Sequence, residues 1–399
     1  MSQIRNSIQS LKDEVAGYRH ALHENPQTAY EETFASDLVA EKLTEWGITH
    51  ERGIAVTGIV ATIEGEQNAS GRAIGLRADM DALDIEEAHN KPHKSKNPGK
   101  MHACGHDGHT ATLLGAAKYL SENRNFNGKV HLIFQPAEEG KKGAHMMIEE
   151  GLFRKFPCDT IYGLHNWPQL PKGTAATSPG PIMASADIIR MTIKGKGGHA
   201  AMPHRTVDPI VMGSQIVTAL QTLVSRYSHP AEPVVLSITT FTAGTGAHNI
   251  IPDDAKLVGT LRTYNEELRQ NLKDKIEDTA RGIAKAMGGD IDYDFELVLD
   301  PTINTPKETA FCVDIARDIL GEHNVNADVT PSMGGEDFGR MLFDVPGCYI
   351  WMGQGEPDDP DSNHNYGLHT PRYDFNDDII PLGIEYWARI VEKALPLKK

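Results

Sequence analysis

The sequence predicts an α/β protein with a mixed, mostly parallel sheet covered by helices on both faces, and with a ferredoxin-like α+β domain inserted into it. In the first half, apolar strand-like runs alternate with amphipathic helical patterns, an order that is typical of parallel sheets. Polar and acidic residues follow the ends of several runs, where α/β proteins bind ligands. Near residue 184 the order changes to βαββαβ, and the earlier alternation resumes near residue 308.

Hydrophobic periodicity places the elements one by one. In residues 1–183 it predicts helices over 4–22, 31–46 and 112–120 and strands over 56–63, 73–77, 129–134 and 159–164. In residues 184–299 it predicts strands over 187–194, 234–241, 256–262 and 290–299 and helices over 208–226 and 268–287. In residues 300–399 it predicts helices over 308–320 and 379–395 and a strand over 348–352. We therefore expect a main domain in two parts, 1–183 and 300–399, and an inserted domain, 184–299.

The composition, 39% hydrophobic and 24% charged, is that of an ordinary globular protein. The formal net charge of -16 argues against nucleic acid as a partner, because proteins that bind it need basic surfaces. The sequence contains no apolar run of the roughly 18 residues that span a bilayer, and residues 1–6 lack the pattern of a secretion signal, so we expect no membrane partner. The four cysteines are too widely spaced for a disulfide framework, which favours the cytoplasm.

Residues 101–110 concentrate one thiol, three imidazoles and one carboxylate in ten positions. Cys104 and His106 are two residues apart, and the glycines at 105 and 108 allow a tight turn that aims both side chains at one point. Taken alone, Cys104 would be interpreted as a buried core cysteine. The cluster of donors around it indicates a metal ligand or a reactive thiol instead.

Further donors stand at the ends of predicted strands. Glu138 and Glu139 follow one strand, His165 follows another, and His364 or His369 supplies a late imidazole. Thiolate, imidazole and carboxylate are the ligands expected for zinc or a related transition metal. A single ion binds only three or four protein ligands, so five donors and a leftover carboxylate suit two ions. Two neighbouring ions can together activate a water molecule. The leftover glutamate would act as a general base and then as a general acid.

Other interpretations of these residues stay open. Cys104 could be a nucleophile activated by His106 or His109 without metal, which would leave the glutamate pair and His165 without a role. A metal-stabilised peptide-binding protein is a third class, although such a binder has no use for an unligated base. Each histidine taken singly is typical of a surface or hydrogen-bonded core residue, and Asp79 and Asp81 could simply cap or turn the chain.

Several motifs together resemble one enzyme family, the di-metal amidohydrolases that include N-acyl-amino-acid amidohydrolases (aminoacylases), hippurate hydrolases, bacterial carboxypeptidases and indole-acetyl-amino-acid hydrolases. The resemblance covers essentially the whole chain. The motifs are Met101-His-Ala-Cys-Gly-His-Asp-Gly-His109, Gln135-Pro-Ala-Glu-Glu-Gly140, Gly163-Leu-His165, Gly197-Gly-His-Ala-Ala-Met-Pro-His204, Asn249-Ile-Ile-Pro-Asp253, Gly334-Gly-Glu-Asp-Phe338 and Leu368-His-Thr-Pro371. The resemblance implies a di-zinc exopeptidase-like catalytic domain over 1–183 and 300–399, with 184–299 as a lid and dimerisation domain.

The resemblance also implies roles for individual residues of the catalytic domain. It implies that Cys104 bridges two metal ions and that the other ligands are His106, Glu139, His165 and His369. Glu138 matches the catalytic acid/base, and Leu-His-Thr-Pro favours His369 over His364. Asp79 matches a carboxylate that orients a ligand imidazole. Zinc and manganese are the expected metals, with cobalt and nickel as alternatives, because the Irving–Williams order favours several ions at such donors. The wider superfamily places a bridging aspartate where Cys104 stands, so the metal identity of those relatives does not carry over to this subgroup.

The inserted domain is expected to contribute three residues. His199 resembles the histidine that reaches a neighbouring subunit's site and stabilises the oxyanion, which implies a homodimer or a dimer-based oligomer. Asn249 and Arg262 resemble substrate-binding groups, and Arg262 could hold a free α-carboxylate or form a surface ion pair. We expect hydrolysis of the amide bond of N-acyl-L-amino acids (N-acetyl, N-benzoyl or similar), with release of the free amino acid. The alternatives are an exopeptidase on small peptides and a Cys104 thiol hydrolase.

Overall fold

The computed structural model describes residues 4–398 and divides into two compact units. The first unit contains the described residues up to Ile182 together with Ile303–Thr330 and the chain from Asp337 onward. The second unit contains Met183–Thr302 and Pro331–Glu336. It begins within one residue of the expected insertion at 184–299 and also includes the later segment. Residues 1–3 and 399 of the expected main domain lie outside the described residues.

The first unit is a layered α/β structure. Its α-helices are Asn6–Gln9, Lys12–Glu24, Thr33–Glu45, His106–Glu122, Gly143–Glu149, Leu152–Lys155, Pro306–Leu320, Phe338–Asp344 and Ile380–Ala394. The strands of its large sheet, in spatial order, are Thr49–Ile54, Gly58–Glu64, Lys129–Gln135, Ala73–Asp79, Thr160–Pro171, Gly347–Gly355, Ala175–Ala176 and Val325–Asn326. Two short strands, Gly180–Met183 and Thr302–Asn304, lie where the chain passes between the units.

The sheet of the first unit is mixed, with a parallel centre. Lys129–Gln135, Ala73–Asp79, Thr160–Pro171 and Gly347–Gly355 pair in parallel with one another in that order. These strands are almost fully buried, as expected for strands that are covered by helices on both faces. The register places Asp79 beside Gln135, so the segments that follow these two strands leave the sheet at the same edge.

The helix His106–Glu122 is the central helix of the first unit. Fourteen of its residues are buried, and it contacts the helices Lys12–Glu24 and Ile380–Ala394. A helix that is buried on nearly all sides is a core helix. His106, the first residue of this helix, is therefore held by a rigid element.

Several local expectations differ from the structure, among them the central helix, which begins at His106 and not at position 112. The predicted helix over 4–22 is interrupted at positions 10 and 11, giving Asn6–Gln9 and Lys12–Glu24. The strand Thr49–Ile54 was not predicted, because only Ile54 is buried in it and the rest of the strand is polar. It is the edge strand of the sheet and pairs antiparallel with Gly58–Glu64.

The second unit is a βαββαβ sandwich, as the sequence predicted. Its antiparallel sheet has the order Val234–Ala243, Asp254–Thr263, Ala186–Lys194 and Asp290–Leu299. The helices Pro209–Thr222 and Glu266–Ala286 pack against it, and each begins at a side-chain cap, Asp208 and Asn265 respectively. A short two-stranded antiparallel sheet of Gly198–His199 and Ile250–Ile251 and the helical turns Pro203–Arg205 and Leu223–Tyr227 complete the unit. Among residues 4–398, no helix is both long and apolar enough to cross a bilayer.

Candidate metal centre

The expected metal ligands of the first unit converge at the carboxyl edge of its parallel strands. Cys104 directly precedes the central helix, and His106 is the first residue of that helix. Glu138 and Glu139 follow the strand Lys129–Gln135, and His165 lies within the strand Thr160–Pro171. Because these strands neighbour Ala73–Asp79 on its two sides, their side chains meet at one place.

Three overlapping groups of donor atoms lie close enough together to bind metal. In each group the donor atoms all lie within 4.8 Å of one another. The groups are Cys104 with His106 and His165, Cys104 with Glu139 and His369, and His106 with Glu138 and Glu139. The structure therefore brings together all five expected ligands and the expected acid/base. The Cys104 sulfur is common to the first two groups and lies 3.4 Å from His165 Nε2.

His106 is surrounded by carboxylates. Its Nδ1 lies 3.1 Å from Asp81 Oδ1, while its buried Nε2 has no hydrogen-bond partner among the described residues. Burial alone would lower the pKa of His106, but the charge of Asp79 and the hydrogen bond with Asp81 raise that pKa to about 10. These carboxylates favour a positive charge at this position, which a divalent cation next to the open Nε2 would supply.

Glu139, which lies next to His369, also has a buried donor atom that is left without a hydrogen bond, as expected for a metal ligand. Glu139 Oε1 lies 3.0 Å from His369 Nε2, yet this buried oxygen has no hydrogen-bond partner in the described part of the chain. Burial raises the pKa of Glu139, whereas the contacts with His369 and His106 lower it and prevail. His369 has a φ of 60°, and its backbone N–H donates to the Ala103 carbonyl at 2.8 Å. This bond joins the late histidine to the segment that carries Cys104.

Backbone N–H groups of Ala137 and Asp337 make the contacts that hold Glu138 in place. Ala137 has a φ of 54°, and its N–H donates to the buried Oε1 of Glu32 at 2.9 Å. The Asp337 N–H lies 3.3 Å from Glu138 Oε1. An L-residue with positive φ costs roughly 1–2 kcal/mol. The Glu32 contact stabilises this conformation.

The carboxylates at the end of strand Ala73–Asp79 make different contacts from those that the sequence predicted. Asp79 was expected to orient a ligand imidazole, but it accepts hydrogen bonds from His109 Nδ1 at 2.6 Å and Arg77 at 2.7 Å. It reaches only within 3.7 Å of His106 Nε2. Asp81 contacts His106 instead, and it also accepts from the Glu139 N–H at 2.8 Å. The sequence left Asp81 open as a capping or turn residue and did not predict this double contact.

The two glycines of residues 101–110 have different roles. Gly105 precedes the central helix with a φ of 95°, as the expected turn requires. A Cβ atom there would lie 2.5 Å from the Tyr373 hydroxyl and closer still to Asn166 Oδ1. Gly108 lies within the helix, and a Cβ atom would overlap the Phe375 ring. Its function is close packing, and not the turn that the sequence suggested.

His364 lies apart from this centre. Its Nδ1 lies 3.0 Å from the Asp374 carbonyl oxygen, in the helical turn Asn363–Asn365. His369 is the late histidine that groups with Cys104.

Of the three residues expected to act from the second unit, two lie on strands and Asn249 directly precedes the short strand Ile250–Ile251. His199 is exposed in the short two-stranded sheet, where it pairs with Ile250, and the Ala200 N–H donates to the Asn249 carbonyl at 3.0 Å. This strand pairing therefore brings His199 and Asn249 together. Arg262 lies on the strand Asp254–Thr263 and donates to Thr260 Oγ1. Burial lowers the pKa of Arg262.

Comparison with known proteins identifies the chain's family. Residues 75–393 match the sequence profile of Peptidase family M20/M25/M40. A hippurate hydrolase from Campylobacter jejuni is 39% identical over 388 residues, which cover 97% of this chain and 98% of the relative. The chain belongs to this peptidase family. As a member of Peptidase family M20/M25/M40 it is a metal-dependent amidohydrolase, which confirms the predicted enzyme class.

Other M20 relatives match over nearly their full length. Thermostable carboxypeptidase 2 from Saccharolobus solfataricus is 38% identical, with 96% of each chain covered. The crystal structure of a dinuclear metal-binding peptidase of family M20 from Bacillus subtilis matches with a TM-score of 0.82 at 33% identity, covering 97% of this chain and 99% of that one. These matches confirm the predicted fold class and the family resemblance.

Proposed function

We propose that the protein hydrolyses the amide bond of N-acyl-L-amino acids, such as N-acetyl or N-benzoyl derivatives, and releases the free amino acid. The observation that carries the proposal is the pair of donor groups that share the Cys104 thiol, with the carboxylate of Glu138 close to His106 and Glu139. The 39% identical hippurate hydrolase supports a substrate of this class.

Two divalent metal ions are the proposed cofactors. The residues that would hold them are Cys104, shared between the ions, and His106, Glu139, His165 and His369. The buried His106 Nε2 and Glu139 Oε1, which have no hydrogen-bond partner among residues 4–398, support this assignment. The dinuclear Bacillus subtilis relative supports the number of ions. Mixed thiolate, imidazole and carboxylate donors suit zinc, and manganese, cobalt and nickel are the alternatives.

Glu138 is the proposed general base and acid. When bound, the two ions lower the pKa of water and polarise a substrate carbonyl. Glu138 accepts a proton from the attacking water, whose oxygen forms a bond to the carbonyl carbon. The same carboxyl group then donates this proton to the nitrogen as the C–N bond breaks. The nearby Asp337 N–H orients the carboxylate for both transfers.

Three side chains of the second unit complete the proposal. His199 stabilises the developing oxyanion in the site of a neighbouring subunit, and Asn249 binds polar groups of the substrate. Arg262 binds the free α-carboxylate, for which its planar guanidinium is suited. The proposed assembly is therefore a homodimer formed through the second unit, acting on a small-molecule substrate in the cytoplasm.

Glu138→Gln tests the catalytic assignment. It should keep both metal ions and lower kcat by roughly 10²–10⁴-fold, because glutamine cannot transfer the proton. Turnover of N-acetyl- and N-benzoyl-amino acids and the metal content of the purified protein are the two measurements. Glu139→Gln is the matched control and should lose metal as well as activity. If Glu138→Gln loses metal and Glu139→Gln does not, the two roles have been exchanged.

Two alternative activities each have one observation in their favour. The 38% identical carboxypeptidase favours an exopeptidase, and a panel of dipeptides beside the N-acyl-amino acids separates the two by their kcat/KM values. The 3.4 Å contact between the Cys104 sulfur and His165 Nε2 would suit a thiol hydrolase. A chelator should abolish the proposed activity, whereas a thiol hydrolase would retain it.

The proposed dimer is tested at exposed apolar side chains of the second unit. Ile210 is 41% exposed on the helix Pro209–Thr222, and Phe241 is 41% exposed on the edge strand Val234–Ala243. Ile210→Asp with Phe241→Asp should shift the molecular mass measured by light scattering from two chains to one, because charges are destabilising in a buried interface. Leu397→Asp, at a 37% exposed position of the first unit, is the control. A monomeric wild-type protein would refute the assembly.

A further inference from the structure

The side chain of Asp337, from the motif Gly334-Gly-Glu-Asp-Phe338, is fully buried. An aspartate immediately before a helix normally accepts an N–H of the first helical turn. Asp337 directly precedes the helix Phe338–Asp344, but its side chain makes no such capping bond. Its carboxylate is stabilised by other donors, as a buried charge requires.

Two of these donors lie on either side of the segment that carries Glu138. Before the segment, the Gln135 side-chain amide donates to both Asp337 oxygens, at 2.7 and 2.9 Å. After it, the Ala144 N–H donates to Asp337 Oδ2 at 2.9 Å. One carboxylate therefore joins the end of a parallel strand to the first turn of the next helix, and residues 136–143 lie between the two contacts.

Arg77 holds the same carboxylate. Its Nη2 donates to Asp337 Oδ1 at 3.1 Å, and its Nε donates to Gln135 Oε1 at 2.9 Å. Its Nη1 donates to Asp79 Oδ2 at 2.7 Å. A planar guanidinium with three such partners has one orientation that serves them all. Because Arg77 belongs to the strand Ala73–Asp79, in the parallel centre of the sheet, the Asp337 carboxylate is attached to a rigid element.

The backbone of residues 136–143 determines where the Glu138 side chain begins. Ala137 has a φ of 54°, and the Gly140 N–H donates to the Glu138 carbonyl at 2.7 Å. The Asp337 N–H lies 3.3 Å from Glu138 Oε1. Asp337 thus contacts both flanks of the segment with its carboxylate and the end of the Glu138 side chain with its backbone.

We propose that the Asp337 side chain, held by Arg77, is a positioning residue for Glu138. It fixes the two flanks of residues 136–143 and so keeps the Glu138 carboxylate where proton transfer requires it. This role rests on the proposed function of Glu138 as the acid/base. A misplacement of about 1 Å can cost about 100-fold in rate, so the loss of the Asp337 carboxylate should appear in kcat.

Asp337→Asn is the variant that tests this role. Its amide group would face donors only, those of Arg77, Gln135 and Ala144, so at least one of these contacts is lost. We expect kcat to fall roughly 10–100-fold, with little change in KM and with both metal ions retained. The measurements are turnover of N-acetyl- and N-benzoyl-amino acids and the metal content of the purified protein.

A double-mutant cycle separates positioning from a general structural defect. If Asp337 acts through Glu138, Asp337→Asn should cause no further loss of the residual kcat in a Glu138→Gln background. The same fold-loss of kcat in both backgrounds would overturn the proposal, as would loss of metal in the single Asp337 variant.

Glu385→Gln is the matched control. Glu385 is also a fully buried carboxylate paired with arginines, but it lies on the helix Ile380–Ala394 and contacts none of the proposed catalytic residues in its ion pairs. The control should lower the free energy of unfolding and leave kcat unchanged. A fall in kcat equal to that of Asp337→Asn would show that any broken buried ion pair has this effect, and would overturn the proposal.

A second variant decides the question if Asp337→Asn does not fold. Gln135→Met removes both bonds from the Gln135 amide and leaves the Arg77–Asp337 ion pair intact. It should lower kcat in the wild-type background and not in the Glu138→Gln background, and an unchanged kcat would overturn the proposal. Full activity in Glu138→Gln alone would instead refute the proposed function, so the two failures are distinguishable.

Discussion

At the scale of single residues, Asp81 connects two of the proposed ligands. One of its oxygens contacts the imidazole of His106 and the other accepts the backbone N–H of Glu139. Neighbouring carboxylates of this kind fix the orientation of a ligand imidazole and raise its basicity. The contact of Asp79 with His109 supports the same site from further out.

Replacement of Asp81 by asparagine should weaken metal binding about 10–100-fold, because the amide cannot accept from both neighbours. The measurement is a competitive metal titration, together with kcat/KM at limiting metal. Asp84→Asn, at an exposed position three residues later, is the control. Unchanged metal affinity in the Asp81 variant would show that the contacts with His106 and Glu139 do not position the ligands.

Residue-level chemistry was only partly predictable. The donors were recognisable because they cluster near Cys104 and follow apolar runs. The sequence could not show which of Asp79 and Asp81 contacts His106, since this depends on which imidazole each carboxylate faces after the central helix has packed.

At the scale of elements, the central helix depends on how it begins. Gly105 provides a left-handed backbone immediately before His106, in a space bounded by Asn166 and Tyr373. Those two side chains are buried and hydrogen-bonded to each other at 2.7 Å. The start of the helix therefore leaves no room for a side chain.

Gly105→Ala should lower the free energy of unfolding by roughly 3 kcal/mol or more, because it adds overlap to the cost of a positive φ. Gly99→Ala is a matched control. Its φ is also positive, at 76°, but nothing lies within 4 Å of an added Cβ, so we expect a loss of only about 1–2 kcal/mol. Denaturant unfolding of the two variants gives the comparison. Equal losses would contradict the packing explanation.

Elements with strong periodicity were predictable, and those shaped by their neighbours were not. The buried strands and the amphipathic helices of the second unit have the periods that apolar burial imposes. The edge strand Thr49–Ile54 buries one residue and has no such period. The interruption of the first helix at positions 10 and 11 leaves the apolar spacing unchanged, so the pattern alone cannot reveal it.

At the scale of the whole molecule, buried histidines link stability to pH. Burial, with the charge of Lys129, lowers the pKa of His131 to about 4. An unfolded histidine takes up its proton near pH 6.5, so between pH 6.5 and 4 the unfolded chain binds more protons than the folded chain. Stability should therefore fall as the pH falls through this window.

His131→Gln should reduce this acid sensitivity. Between pH 7 and pH 5 the wild-type protein should lose about 2 kcal/mol more unfolding free energy than the variant, because glutamine does not titrate. Chemical denaturation at the two pH values measures both proteins, and their difference at pH 7 reports the cost of the substitution itself. An identical loss of unfolding free energy in both proteins would mean that folding does not lower the pKa of His131.

The parallel pairing of Gly347–Gly355 with Thr160–Pro171 has a consequence for biosynthesis. The partner of the earlier strand is translated almost two hundred residues later, after the whole second unit has been synthesised. Most of the second unit can thus form in a nascent chain while the strand Thr160–Pro171 still lacks its parallel neighbour on one side. Pairings so distant in sequence form slowly and leave apolar edges open to chaperones or aggregation in the meantime.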